Sequence, residues 1–170
     1  MSGTWFLHRR ITFAFGLTAS ILSVVLAVPF AWAARSAFQD EIDALAREEL
    51  EETKAHFSVS SPTLERFAAI AAEMQEEHAE NPLAWRIWVE STGALWSEIG
   101  PPVLLAHAPL APPAPAFERL DSATRRASAS LGSDRVAVVL LDGSHQDRRF
   151  AGFVLSALAY ALLATGVATL

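Results

Sequence analysis

Residues 83–100 read LAWRIWVESTGALWSEIG and set Trp85, Trp88 and Trp96 within twelve positions. The stretch alternates. Trp85, Ile87 and Val89 fall on one face, and Arg86 and Trp88 on the other, as side chains do along a strand. ESTG, ending at Gly93, is a turn cluster, and ALWSEI resumes as a second run. Two aromatic, β-branched runs around a glycine-containing turn predict a β-hairpin. Tryptophans on both faces predict burial on one side and partial cover on the other. The segment therefore predicts a folded domain with a core, where a plain tether would need no tryptophan.

The flanking sequence supplies partners for that hairpin. In RSAFQDEIDALAREELEETKAHF, residues 35–57, Phe38, Ile42 and Leu45 fall at i, i+4 and i+7, an amphipathic helical stripe. SVSSP interrupts it. Ser61 suits a helix cap and Pro62 a first helical position. Leu64, Phe67, Ile70, Ala71 and Met74 then continue at helical spacing until Pro82 disfavours helix in the residue before it. The proline-rich Pro101–Pro115 segment reads as an irregular surface loop. RRASASL, the turn GSD and RVAVVLLDG (125–143) read as a second hairpin, with Val136, Val138 and Leu140 on one face. A helix over Phe117–Leu131 fits the spacing of Phe117, Leu120, Thr124 and Leu131 as an alternative. The expected fold class is α+β, a small antiparallel sheet packed on helices.

Two uncharged apolar stretches enclose this domain: Ile11–Ala34, of 24 residues, and Phe150–Leu170, of 21. At about 1.5 Å per helical residue, each is long enough to cross a hydrocarbon core of about 30 Å. All 19 acidic residues lie between Asp40 and Asp147. Segment 35–149 carries 11 basic residues against them, a net charge of −8, which argues against nucleic-acid binding. Arg9 and Arg10 precede the first stretch and place residues 1–10 in the cytoplasm. The reading is then a cytoplasmic tail 1–10, a span 11–34, an extracytoplasmic domain 35–149 and a returning span 150–170. The alternative is a cleaved secretory signal, from HRR, Pro29 and the small-residue site Ala31-Trp32-Ala33. The chain has no cysteine, so the outer domain holds together by packing alone.

This order of elements resembles the input half of a bacterial HAMP-containing two-component sensor histidine kinase. AWRIWVESTGALW is similar to the xWRVWdxxGxLl strand–turn–strand of their periplasmic sensor domains. RVAVVLLDGSHQDRRFAGFVLSALAYALLATG is similar to their last strand, juxtamembrane segment and second span. FQDEIDALAREEL matches the acidic, Leu-spaced helix that leaves their first span. The likeness covers residues 5–170, and its motifs name no ligand. It implies a periplasmic PAS-like sensor domain between two transmembrane helices in the inner membrane. It also implies a homodimer, an unknown periplasmic ligand or protein, and a response regulator reached only through a kinase. His8, His56, His78, His107 and His145 lie outside any kinase motif. HAMP linker, phosphoacceptor helix and ATP-binding boxes are not found within the 170 residues, so no catalytic residue, cofactor or enzyme activity is expected of them. The reading frame is expected to continue past Leu170 into basic sequence, a HAMP-like linker and a kinase core. The alternative is a non-signalling, membrane-anchored periplasmic scaffold.

Candidate sites are few. EMQEEHAE places Glu73, Glu77 and Glu80 at i, i+4 and i+7, with Glu76 and His78 adjacent. Like charges at that spacing repel by a few tenths of a kcal/mol each, which a divalent cation or cationic peptide would relieve. Glu48, Glu49, Glu51 and Glu52 form a second acidic cluster; for both, a solvated helix face is the plain reading. Asp142, His145 and Asp147 are metal-ligand types, but the reading preferred for them is a polar junction before the second span. The four outer histidines suit pH sensing. Trp85, Trp88 and Trp96 are assigned to structure.

Overall fold

The computed structural model describes residues 3–59, 62–132 and 134–168. It divides into two compact units, Met1–Phe38 with Arg148–Leu170, and Gln39–Asp147. Helix α1 (Gly3–Val59) runs unbroken through Pro29 and contributes to both. Among the described residues it is the one helix long and apolar enough to cross a membrane. Its most apolar 18 residues have a mean hydropathy of 2.3 and are 6% buried. The second apolar stretch is helical from Phe150 to Ala168, within α4 (Ser144–Ala168). Thr169 and Leu170 lie outside the described residues. In the first unit, Phe30 and Phe38 meet Phe153 and Phe150, each pair at 5.8 Å between ring centroids.

The Gln39–Asp147 unit is α+β, with one five-stranded antiparallel sheet. Its strands are β1 (Leu83–Val89), β2 (Leu95–Ile99), β3 (Ala116–Arg119), β4 (Thr124–Gly132) and β5 (Arg135–Asp142), in the order β2-β1-β5-β4-β3. Both hairpins form, and β1 pairs with β5 to join them, Leu83 opposite Leu141 and Val89 opposite Arg135. Strand β5 is central, so residues 136–141 are all buried and both of its faces are apolar. The hairpin tips are tied together. Asp134, at φ 59°, accepts the Ser91 amide at 2.7 Å, and its carbonyl accepts the Glu90 amide at 2.9 Å. Gly93 supplies the left-handed residue of the first turn, at φ 66°.

Helices α1 and α2 (Leu64–Glu77) cover one face. Ile42, Ala46, Leu50 and Phe57 of α1 and Phe67, Ala71 and Met74 of α2 pack on Trp85, Ile87, Val139 and Leu141. Half-buried Trp96 closes this core edge-on to Phe57 at 5.7 Å. Leu64, expected in the apolar stripe, is exposed because it opens the first turn of α2. Ser61, the expected cap, lies outside the described residues. Thr63 caps α2 instead, accepting from the Arg66 amide at 3.3 Å, so Pro62 precedes the cap rather than opening the helix.

The opposite face corrects the reading of the proline-rich segment. Within it, Pro102–Leu105 form the single-turn helix α3, with Pro101 as its N-cap. Leu104, Leu105 and Ala108 are buried against Ala84, Trp88, Val138 and Leu140. Apolar residues between the prolines make the segment a cover, so Trp88 is buried rather than partly covered. The alternative helix over Phe117–Leu131 does not form, since β3 and β4 pair across that range.

One charged cluster holds α1 to the sheet edge. Asp43 accepts from Arg125 Nε at 2.5 Å and from Arg119 Nε at 2.9 Å, and Arg125 is fully buried. Burial pushes the Asp43 carboxyl up, but the hydrogen bonds and charges of Arg119 and Arg125 outweigh it and hold the group below its ordinary value. Gly143, between β5 and α4, lets α1 approach closely: a Cβ there would lie 2.8 Å from Ile42 Cδ1.

Candidate functional site: a buried glutamate and two clefts

Helix α1 turns Ile42, Ala46, Glu49, Thr53 and Phe57 inward at helical spacing. Four of the five suit a core. The fifth, Glu49, is 1% exposed. Its Oε1 lies 2.6 Å from Nε2 of His78, the C-cap residue of α2, while Oε2 has no hydrogen-bond partner. Burial first, then repulsion from Glu52, Glu48 and Glu77, pushes the Glu49 carboxyl up to about 7. A neutral carboxyl donating from Oε1 to the imidazole avoids a buried negative charge at Glu49 but leaves Oε2 unpaired. Below Glu49 the polar chain continues: Trp85 Nε1 donates to Thr53 Oγ1 at 3.2 Å, and that hydroxyl donates to the Glu49 carbonyl at 2.8 Å.

Two clefts flank the turn that follows α2. One, of about 390 Å³, is walled by His78, Pro82, Gly100 and Pro101. The other, of about 320 Å³, lies between α1, Asn81 and the first turn of α4. Glu41, Leu45 and Glu48 form its α1 wall, and Asn81 and Gln146 face them. Asn81 is 8% exposed and Gln146 7%, and neither Asn81 Oδ1 nor Gln146 Oε1 has a partner. Beside them Glu80 Oε2 lies 3.2 Å from His145 Nδ1.

The acidic patch expected at 73–80 is divided by this geometry. Glu73, Glu76 and Glu77 are exposed on α2, but the helix ends at Glu77. Glu80 therefore leaves their face and turns to His145, and His78 turns inward to Glu49. The second acidic cluster also divides: Glu48, Glu51 and Glu52 are exposed, whereas Glu49 is core, which corrects the solvated-face reading at that position. Asp142, His145 and Asp147 go separate ways. Asp142 Oδ1 accepts from the Ser144 amide at 2.8 Å, and Asp147 Oδ1 from Gln39 Nε2 at 3.4 Å. Among the described residues, no group of three or more His, Cys, Asp or Glu side chains is placed to hold a metal ion. Trp85 and Trp88 are core, one on each face, and Trp96 also stacks under the Arg135 guanidinium at 4.2 Å.

Glu49 had a legible signal, since it stands seven residues after Ile42 on the same helix face. Asn81 and Gln146 had none, because only the tertiary fold brings the turn before β1 to the first turn of α4. No family model, curated protein or solved structure matches the chain.

Proposed function

We propose that this chain is the membrane-bound signal-input module of a two-component sensor histidine kinase. In this reading the Gln39–Asp147 unit is a PAS-like periplasmic sensor domain between two transmembrane helices. It receives an extracytoplasmic stimulus, and paired helices pass the change to a cytoplasmic kinase. One observation carries the reading. The polypeptide enters the Gln39–Asp147 unit along α1, a helix with a membrane-length apolar stretch, reaches the five-stranded antiparallel sheet of order β2-β1-β5-β4-β3 through α2, and leaves its central strand β5 directly into α4. The unit is thus entered along α1, which packs on the sheet, and left along α4, so a change in the domain would act on the two elements that would carry it.

A stimulus shifts such a module only through unequal affinity for its two conformations. The buried, half-satisfied Glu49 and the clefts beside it are where that inequality is most readily built. The membrane part of the reading rests on the length and apolarity of α1 and on Arg9 and Arg10 before it. Reporter fusions after Thr4 and after Ser133 test the topology, and are expected to report opposite sides. The signalling part is tested by fusing the chain to the HAMP linker and kinase core of a characterised sensor. Insertions of one to four residues at the junction should then switch kinase output with helical periodicity. Output indifferent to every insertion would favour the anchored scaffold.

A further inference from the structure

We infer that Arg35, Arg148 and Arg149 form a docking site for the headgroup phosphate of an anionic phospholipid, at the level where the two apolar stretches enter the bilayer. The inference rests on the two-span reading for a membrane at that level, and not on any stimulus or kinase. Three observations carry it. The guanidinium groups gather at one level: Arg35 follows Ala34, and its Cζ lies 5.7 Å from the ring centroid of Phe150 on α4. Arg148 and Arg149 directly precede Phe150, so they stand within about 3 Å of it along the helix axis. All three are exposed, and among the described residues none pairs with a carboxylate. In the Gln39–Asp147 unit, by contrast, Lys54, Arg86, Arg119, Arg125 and Arg126 each do. Finally, Trp32, three residues before Arg35 and so on the same face of α1, is 75% exposed. Exposed tryptophan at the end of an apolar helix is a side chain that settles at a membrane–water interface.

The level selects a lipid rather than a free anion. Headgroup and interfacial layers extend about 5–7 Å beyond each side of the hydrocarbon core, so side chains next to the last apolar residue lie among lipid phosphates. Arginine presents a planar fork of donors that matches phosphate oxygens. The charge selects an anionic lipid. A zwitterionic headgroup brings its own cation beside three guanidinium groups, whereas the glycerol of phosphatidylglycerol brings none. The carboxylates nearest in the chain are engaged elsewhere: Asp147 Oδ1 accepts from Gln39 Nε2 at 3.4 Å, and Asp40 lies 3.6 Å from Arg119. Because Arg35 belongs to α1 and Arg148 and Arg149 to α4, a phosphate held between them ties the two helices together at the membrane surface. Anionic lipid content then acts on the two elements that the signal-input reading uses.

The test uses the full chain in a neutral detergent, titrated with phosphatidylglycerol or phosphatidylcholine of the same acyl chains, with native mass spectrometry counting bound lipid. Phosphatidylglycerol is expected to bind at least about tenfold more tightly, since each arginine near an anionic headgroup contributes about fivefold. Arg35→Gln, Arg148→Gln and Arg149→Gln combined should bring the two lipids within about twofold of each other, and Arg35→Gln alone should lower the preference about fivefold. These side chains are exposed, so circular dichroism should show an intact fold. Arg66→Gln, at an exposed arginine of α2, should leave the preference unchanged. The inference is overturned by equal binding of the two lipids, by a combined variant that keeps the preference, or by a loss with Arg66→Gln as large as with Arg35→Gln. Inorganic phosphate displacing phosphatidylglycerol at equal concentration would overturn it too, since the site would then hold a free anion. Reporter fusions after Thr4 and Ser133 on the same side would remove the spanning reading itself; opposite sides without a lipid preference remove this inference alone.

Discussion

Replacing Glu49 by Gln should abolish a pH dependence of stability that the buried carboxyl imposes. The group moves from an ordinary value of 4.5 in the unfolded chain to about 7 in the folded one. The folded state thus holds this proton more tightly, and between those values it binds a proton that the unfolded chain has released. Stability must fall as pH rises through that window. It is fully present below about 4.5 and lost above about 7. At about 1.4 kcal/mol per unit, the loss amounts to about 3 kcal/mol. In a domain of this size that is a shift of roughly 10–20 °C in Tm. Gln keeps the shape and cannot ionise, so the variant should match the wild type near pH 5 and exceed it near pH 8. The assay is thermal unfolding of the full chain in nanodiscs at pH 5, 6, 7 and 8. Tryptophan fluorescence can report it, because the Trp85 indole is bonded to Thr53, one turn from Glu49. The window avoids Asp43, whose lowered value makes its stabilisation disappear only in stronger acid. Subtracting the Glu49→Gln curve from the wild type cancels the titrating groups that do not interact with residue 49. A difference independent of pH, or one favouring the wild type more as pH rises, would refute the argument: Glu49 would then be ionised in the folded chain.

Three further outcomes test the packing. Asp43→Asn should cost about 3–5 kcal/mol in urea unfolding, because it leaves Arg125 charged, buried and short of its partner; Glu118→Gln at the more exposed Arg126 pair should cost under about 1 kcal/mol. Trp85→Ala should cost about 3–5 kcal/mol, and an unchanged melting curve would place that side chain outside the core. Gly143→Ala should cost about 1–3 kcal/mol by forcing its methyl against Ile42, and Ile42→Ala beside it should recover part of the loss in a double-mutant cycle.

The sheet was legible wherever its strands carry a local signal. Alternation in 84–89 and 135–141, with turn residues between runs, marked both hairpins, and the tryptophans on opposite faces marked a strand covered on both sides. What joins the hairpins was not legible. The β1–β5 pairing is a contact between residues about fifty apart, and nothing in either strand specifies its neighbour. Strand β3 was missed because four residues, AFER, are too short for a period to show. The cover formed by Leu104, Leu105 and Ala108 was missed for a different reason. Proline marks the absence of regular hydrogen bonding, not exposure, and the apolar residues between the prolines were the better guide to burial.

The two inward carboxylates of α1 also show why charge counting misreads such a helix. Asp43 and Glu49 are six residues apart in one acidic run, and composition treats them alike. The fold gives Asp43 two guanidinium groups, so its charge is balanced and its carboxyl is held low. It gives Glu49 one imidazole, an unpaired oxygen and three carboxylates nearby, so its charge is opposed. Docking of α1 on the sheet is therefore firm at Asp43 and conditional at Glu49, where the protonation state decides whether a buried charge must be accommodated. In the proposed signal-input reading, that asymmetry would suit a helix that carries a signal. The ion pair at Asp43 ties α1 to β4, while ionisation of Glu49 would weaken the docking of α1 by about 3 kcal/mol. In that reading, a stimulus would act more readily on a helix docked this way than on one fixed at both ends by balanced ion pairs.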